Sequence, residues 1–84
     1  MEKKRRYPRE IHHREARALL RDGQWHRLRL WKKSTGEILL YPRAQYHSSF
    51  TDGRRTRVRL YPSGEIRCFV NVLLFEIDDM RIFM

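Results

Sequence analysis

Apolar and polar positions follow two rhythms along this chain, and the change comes near Gly23. Between Pro8 and Gly23, Ile11, Glu15, Ala18 and Leu19 recur at helical spacing, with Leu20 widening the stripe. The pattern predicts a helix over 8–22. Pro8 suits a first turn, where no amide partner is needed, and Gly23 suits the left-handed position after the last turn. Glu15 interrupts the stripe, so the apolar face is narrow and the helix must dock on the rest of the chain. From Trp25 the period is two. Leu28 and Leu30 share one face, with Arg27, Arg29 and Trp31 on the other; Val58 and Leu60 repeat this against Arg57, Arg59 and Tyr61.

These two segments open an internal repeat. Leu28-Arg29-Leu30-Trp31 precedes Ser34-Thr35-Gly36-Glu37-Ile38, and Val58-Arg59-Leu60-Tyr61 precedes Ser63-Gly64-Glu65-Ile66. Each unit reads as a strand, a turn ending in glycine and a return strand, which gives two similar hairpins in one sheet. Three-residue loops place the glycine last. Loops at Ser34-Thr35-Gly36 and Pro62-Ser63-Gly64 predict Lys33 opposite Glu37, Leu30 opposite Leu40, Leu60 opposite Ile66 and Val58 opposite Cys68. That register keeps apolar residues facing apolar residues.

Glu37 to about Gln45 reads as a long strand whose Pro42 requires an edge, a bulge or a bend. Residues 65–78 are too long for one straight strand, and a bend near Asn71 is expected before the buried run Val72-Leu73-Leu74-Phe75. Asp78-Asp79 makes a turn, Met80–Met84 ends the chain as an exposed apolar edge strand, and His47–Arg55 is a loop. The fold class expected is α+β: an N-terminal helix followed by a five-stranded, strongly bent antiparallel meander, a small SH3-like or Sm-like barrel. Its core is expected to hold Leu28, Leu30, Val58, Leu60, Ile66 and Leu74, joined by Leu19, with Cys68 also inward.

Composition narrows the function classes. Lys and Arg number 19 against 10 acidic residues in 84, a formal charge of +9. The excess is uneven: residues 1–33 carry a net +8, and the remainder +1. A basic tail over 1–7, containing Lys3, Lys4, Arg5 and Arg6, is expected to be flexible and to precede a single domain over 8–84 (helix 8–22, barrel 25–84). A polyanionic partner fits this balance. No apolar run approaches the roughly 18 residues of a membrane span, and no signal-peptide core follows the basic start. The single Cys68 excludes an internal disulfide and fits a reducing, cytoplasmic setting.

Little here points to catalysis. His12 and His13, adjacent on a helix, would diverge by about 100° and could not share a metal ion. Ser48 and Ser49 beside His47 lack the strained turn of a catalytic nucleophile, and four glycines make no phosphate loop. The reading is therefore a non-enzymatic binding module without metal, cofactor or small-molecule substrate. Its most informative pattern is Arg-x-Arg-x-aromatic, found twice: Arg27, Arg29 and Trp31, then Arg57, Arg59 and Tyr61, with Arg67 expected beside Arg59. Cations for phosphates and rings for bases are what single-stranded nucleic acid uses. A protein-interaction or self-associating structural role is the alternative, since arginines alternating along a solvated sheet need no ligand.

Overall fold

The computed structural model describes residues 9–84, so the basic run Lys3–Arg6 lies outside the described residues. Seven strands form one open sheet: β1 Arg9–His12, β2 Trp25–Trp31, β3 Ile38–Ser49, β4 Arg55–Leu60, β5 Ile66–Val70, β6 Leu74–Ile77 and β7 Met80–Phe83. Helix α1, His13–Leu20, follows β1, and a 3-10 turn, Asn71–Leu73, separates β5 from β6. Across the sheet the order is β1-β7-β6-β2-β3-β4-β5.

This corrects the expected fold in two places. The first four described residues of the predicted helix over 8–22 form a strand instead. Arg9–His12 pairs in parallel with β7, Ile11 facing Ile82, and Arg81 donates to Glu10 at 2.7 and 3.2 Å. Helix α1 begins only where the ring Nδ1 of His12 accepts the Arg14 N–H. A segment with helical periodicity thus adds to a sheet edge, because that edge satisfies its backbone groups outside any helix. The second correction is that no five-stranded barrel closes. The chain bends at Asn71 as expected, but β5 and β6 do not pair. β6 enters beside β2, and its other side is taken by β7 and then β1, leaving β1 and β5 as edges. Met80–Phe83 is therefore interior to the sheet, not an exposed edge.

Both hairpin loops hold four residues rather than three. Lys32 N–H donates to Glu37 O at 2.7 Å, and Leu60 N–H to Glu65 O at 2.8 Å. Gly36 and Gly64 sit last in their loops at φ 75° and 76°, a region where glycine alone is unstrained. The extra residue shifts each register by one: Leu30 faces Leu39, Arg59 faces Ile66 and Val58 faces Arg67. A shift of one turns every side chain of the return strand to the opposite face. Ile66, Cys68 and Leu40 consequently lie exposed, Phe69 is buried in the core, and Arg67 leaves the face of Arg59.

Ala16 and Leu20 of α1, Leu28, Leu30, Ala44, Val58, Phe69, Leu74, Ile77 and Met80 form the core. Leu19 and Leu60, expected inside, are half-buried. On the helix, Leu20 is buried as expected, Leu19 is half-buried, and Ala16 takes the buried place expected of Ala18, which is exposed. Pro42 occupies a bulge. His26 pairs with Ala44 but Leu28 with Tyr41, so Pro42 and Arg43 together stand opposite Arg27. A second bulge at His47 lets β3 continue to Ser49, which shortens the expected loop to residues 50–54.

Candidate nucleic-acid interface

Helix α1 covers the face of the sheet that carries Leu28, Leu30 and Val58, and the opposite face is open. Strand β3 decides what meets on it, because its first half pairs with β2 and its second half with β4. The row that results is Trp25–Gln45–Arg59–Ile66, read across four strands. Trp25 and Tyr61 are 42% and 54% exposed and meet edge to face, with ring centres 5.7 Å apart. The Arg43 guanidinium lies 5.3 Å from the Tyr61 ring centre. Arg59 makes no ion pair among the described residues. Two exposed rings and two cations thus share one end of the open face.

The expected six-residue surface is divided. Trp31 stands six residues along β2 from Trp25, about 20 Å away at strand rise, and packs on Phe75 at 4.9 Å. The repeat explains this. The loops superpose at a spacing of 28 residues, Gly36 on Gly64, and that aligns Trp31 with Arg59 and places Tyr61 in a loop. Trp31 and Tyr61 are not equivalent.

The other arginines of the pattern are largely committed. Arg29 donates to Glu76 Oε1 at 3.1 Å, and that carboxylate is buried. Arg27 donates to Asp79 at 2.7 Å. Arg57 stacks on Phe50, 3.8 Å from its centre, opposite Arg55 at 4.1 Å, and also donates to Ser48. Arg67, on the other face, donates to both Glu65 oxygens. Of the seven described residues expected in the site, Arg59 and Tyr61 occupy the exposed end, with Arg57 two residues back along β4. Trp25 and Arg43 were not anticipated. Trp25 stands at the start of the same alternating run, in phase with Arg27 and Arg29. Arg43 has no signal in the sequence, because a bulge aims it.

His26, only 5% exposed, lies between Asp22 and Asp78. Beneath α1 a pocket of about 30 Å³ is lined by His13, whose Nδ1 has no hydrogen-bond partner among the described residues, and burial lowers the pKa of that ring. A wider groove of about 240 Å³ runs beside β5, lined by Trp31, Lys32, Lys33, Leu39, Tyr41 and Cys68 among others. Burial pushes the Tyr41 phenol up. His12 and His13 span the strand–helix boundary with rings 4.4 Å apart. Among the described residues no three His, Cys, Asp or Glu side chains gather to hold a metal ion. No helix among them is long and apolar enough to cross a membrane.

No protein family, curated protein or solved structure matches this chain.

Proposed function

We propose that this protein is a non-enzymatic binding module that takes single-stranded nucleic acid on the open face of its sheet. Trp25 and Tyr61 are the stacking pair, and Arg43 and Arg59 are the phosphate-contacting cations. The observation that carries the reading is the exposed Trp25–Tyr61 pair with Arg59, which makes no ion pair among the described residues, in the same row as Trp25. The rings contribute sequence-tolerant stacking, the guanidinium groups neutralise phosphates, and the +9 charge of the chain draws a polyanion in.

The test is a salt titration of fluorescently labelled oligo-dT and oligo-U binding. Arg59→Ala weakens binding to every sequence and lowers the salt slope by about 0.7 for the lost contact. Trp25→Ala costs about 1–3 kcal/mol at an unchanged slope, because stacking releases no counterions. Absence of wild-type binding at low salt overturns the reading, as does binding unaffected by both substitutions. Exposed Trp31, Ile38 and Leu40 at the other end of the face favour a second reading, a protein-interaction module. That reading takes over in either case.

A further inference from the structure

The groove of about 240 Å³ is lined from two separated parts of the sheet, the β2–β3 hairpin and β5. Leu30 pairs with Leu39, Leu28 with Tyr41 and Thr56 with Phe69, so Leu30, Leu39, Tyr41 and Phe69 all lie on the core face. No residue of α1 lines the groove, which leaves this end of the core face uncovered by the helix. Its walls are mainly apolar, and three polar groups break them. The side chains of Lys32 and Lys33 make no ion pair or hydrogen bond among the described residues, and neither does the Tyr41 hydroxyl. No acidic residue lines the groove. The glutamates of the adjoining loops are engaged elsewhere, Glu37 by Thr35 and Glu65 by Arg67.

We propose that this groove binds a small amphipathic carboxylate, its apolar body on Leu30, Leu39 and Phe69 and its head between the two lysines and the Tyr41 hydroxyl. An apolar cleft with a few convergent polar groups is the usual form of a small-molecule site, and those groups fix the ligand's orientation. Here every free polar group is a donor or a cation. Each ammonium has only hydrogens to offer, and burial keeps the Tyr41 phenol protonated and able to donate. Their complement is an anionic acceptor, and a carboxylate supplies one charge with about four lone-pair sites. The volume falls short of the roughly 300–1,000 Å³ of pockets for drug-sized ligands, so the body is small. Leu30, Leu39, Tyr41 and Phe69 lie on the face opposite Trp25 and Arg59, so the site is independent of nucleic-acid binding.

The experiment is a calorimetric titration of the full chain with straight-chain carboxylates. From hexanoate to octanoate to decanoate, affinity is expected to rise about fourfold for each added methylene. Acetate, with the charge but no body, is expected not to bind, and octylamine, with the body but the opposite charge, is expected not to bind either. Octanamide, the neutral counterpart of octanoate, is expected to bind about tenfold more weakly. Lys32→Gln combined with Lys33→Gln removes that preference and leaves octanamide binding unchanged. Tyr41→Phe weakens octanoate binding at an unchanged melting temperature, because the hydroxyl it removes has no partner within the chain. Saturating oligo-dT leaves octanoate affinity unchanged. Failure of octanoate to bind the folded wild-type chain overturns the proposal. So does equal binding of octylamine or octanamide, or octanoate binding that survives the loss of both lysines. Displacement of octanoate by oligo-dT also overturns it, since the carboxylate would then sit on Arg43 and Arg59.

Discussion

The imidazole of His26 is hydrogen-bonded to the carboxylate of Asp78 across 52 positions of the chain, and it ties the start of β2 to the β6–β7 turn. Its other nitrogen meets Asp22 Oδ1 at 2.9 Å. A carboxylate on each ring nitrogen favours the doubly protonated imidazolium over the neutral ring. Asp78 and Asp79 form a two-residue turn, both at positive φ (50° and 65°), which side chains other than glycine adopt at a cost. Their carboxylates offset it: Asp78 also accepts the Arg27 N–H at 3.0 Å, and Asp79 accepts from the Arg27 guanidinium.

Stability should therefore depend on pH from both sides. Burial acts to lower the His26 pKa, but the hydrogen bonds to Asp22 and Asp78, with their charges, outweigh it and leave it raised above 6.5. That contribution is complete below about pH 6.5 and is lost as pH rises through the folded value. The Gln24 N–H, and His26 after it, hold Asp22 below 3.8, so its contribution is complete above that pH and is lost on further acidification. The melting temperature should form a plateau between these limits. His26→Ala should flatten the alkaline limb and cost about 2–3 kcal/mol in urea denaturation.

The one-residue register shift predicts opposite outcomes for neighbours on β5. Phe69→Ala should cost about 3–5 kcal/mol, since Phe69 is buried in the core. Ile66→Ala, on the exposed face, should stay within about 0.5 kcal/mol. Equal losses in a denaturant titration would return both residues to one face and refute the four-residue loop.

Arginines of the repeated pattern should separate into two kinds. Arg29→Ala leaves the buried Glu76 carboxylate without its partner and should lower stability by about 1–3 kcal/mol. Arg59→Ala should leave the melting temperature unchanged. Thermal melts of the two variants check this without any ligand.

Gly64→Ala meets no atom within 4 Å, so only its backbone is strained. At φ 76° an alanine should cost about 1–2 kcal/mol. Gly36→Ala, in the equivalent loop, should cost the same, and unequal losses would show that the two hairpins close differently.

The alternation at Leu28, Leu30 and Val58, the glycines that end the loops, the bend at Asn71 and the Asp78-Asp79 turn were all legible along the chain, because each is set by neighbours within a few residues. The same holds for Arg59 on the exposed side of β4. The pairing of Tyr61 with Trp25 was not legible. It depends on how far β3 runs past β2 before β4 joins it, and on the bulge that turns Arg43 toward the ring.

What the sequence by itself determined was the period of each segment, the positions of its turns and the excess of positive charge. Tertiary structure decided that Arg9–His12 is a strand, that the sheet stays open and that Cys68 points outward. Backbone groups take whichever partner leaves fewest unsatisfied, and the partner of β1 lies some seventy residues away in β7. Loop length decides faces in the same non-local manner. One added residue between Leu60 and Glu65 costs little in the loop, yet it exchanges inside for outside along the whole of β5.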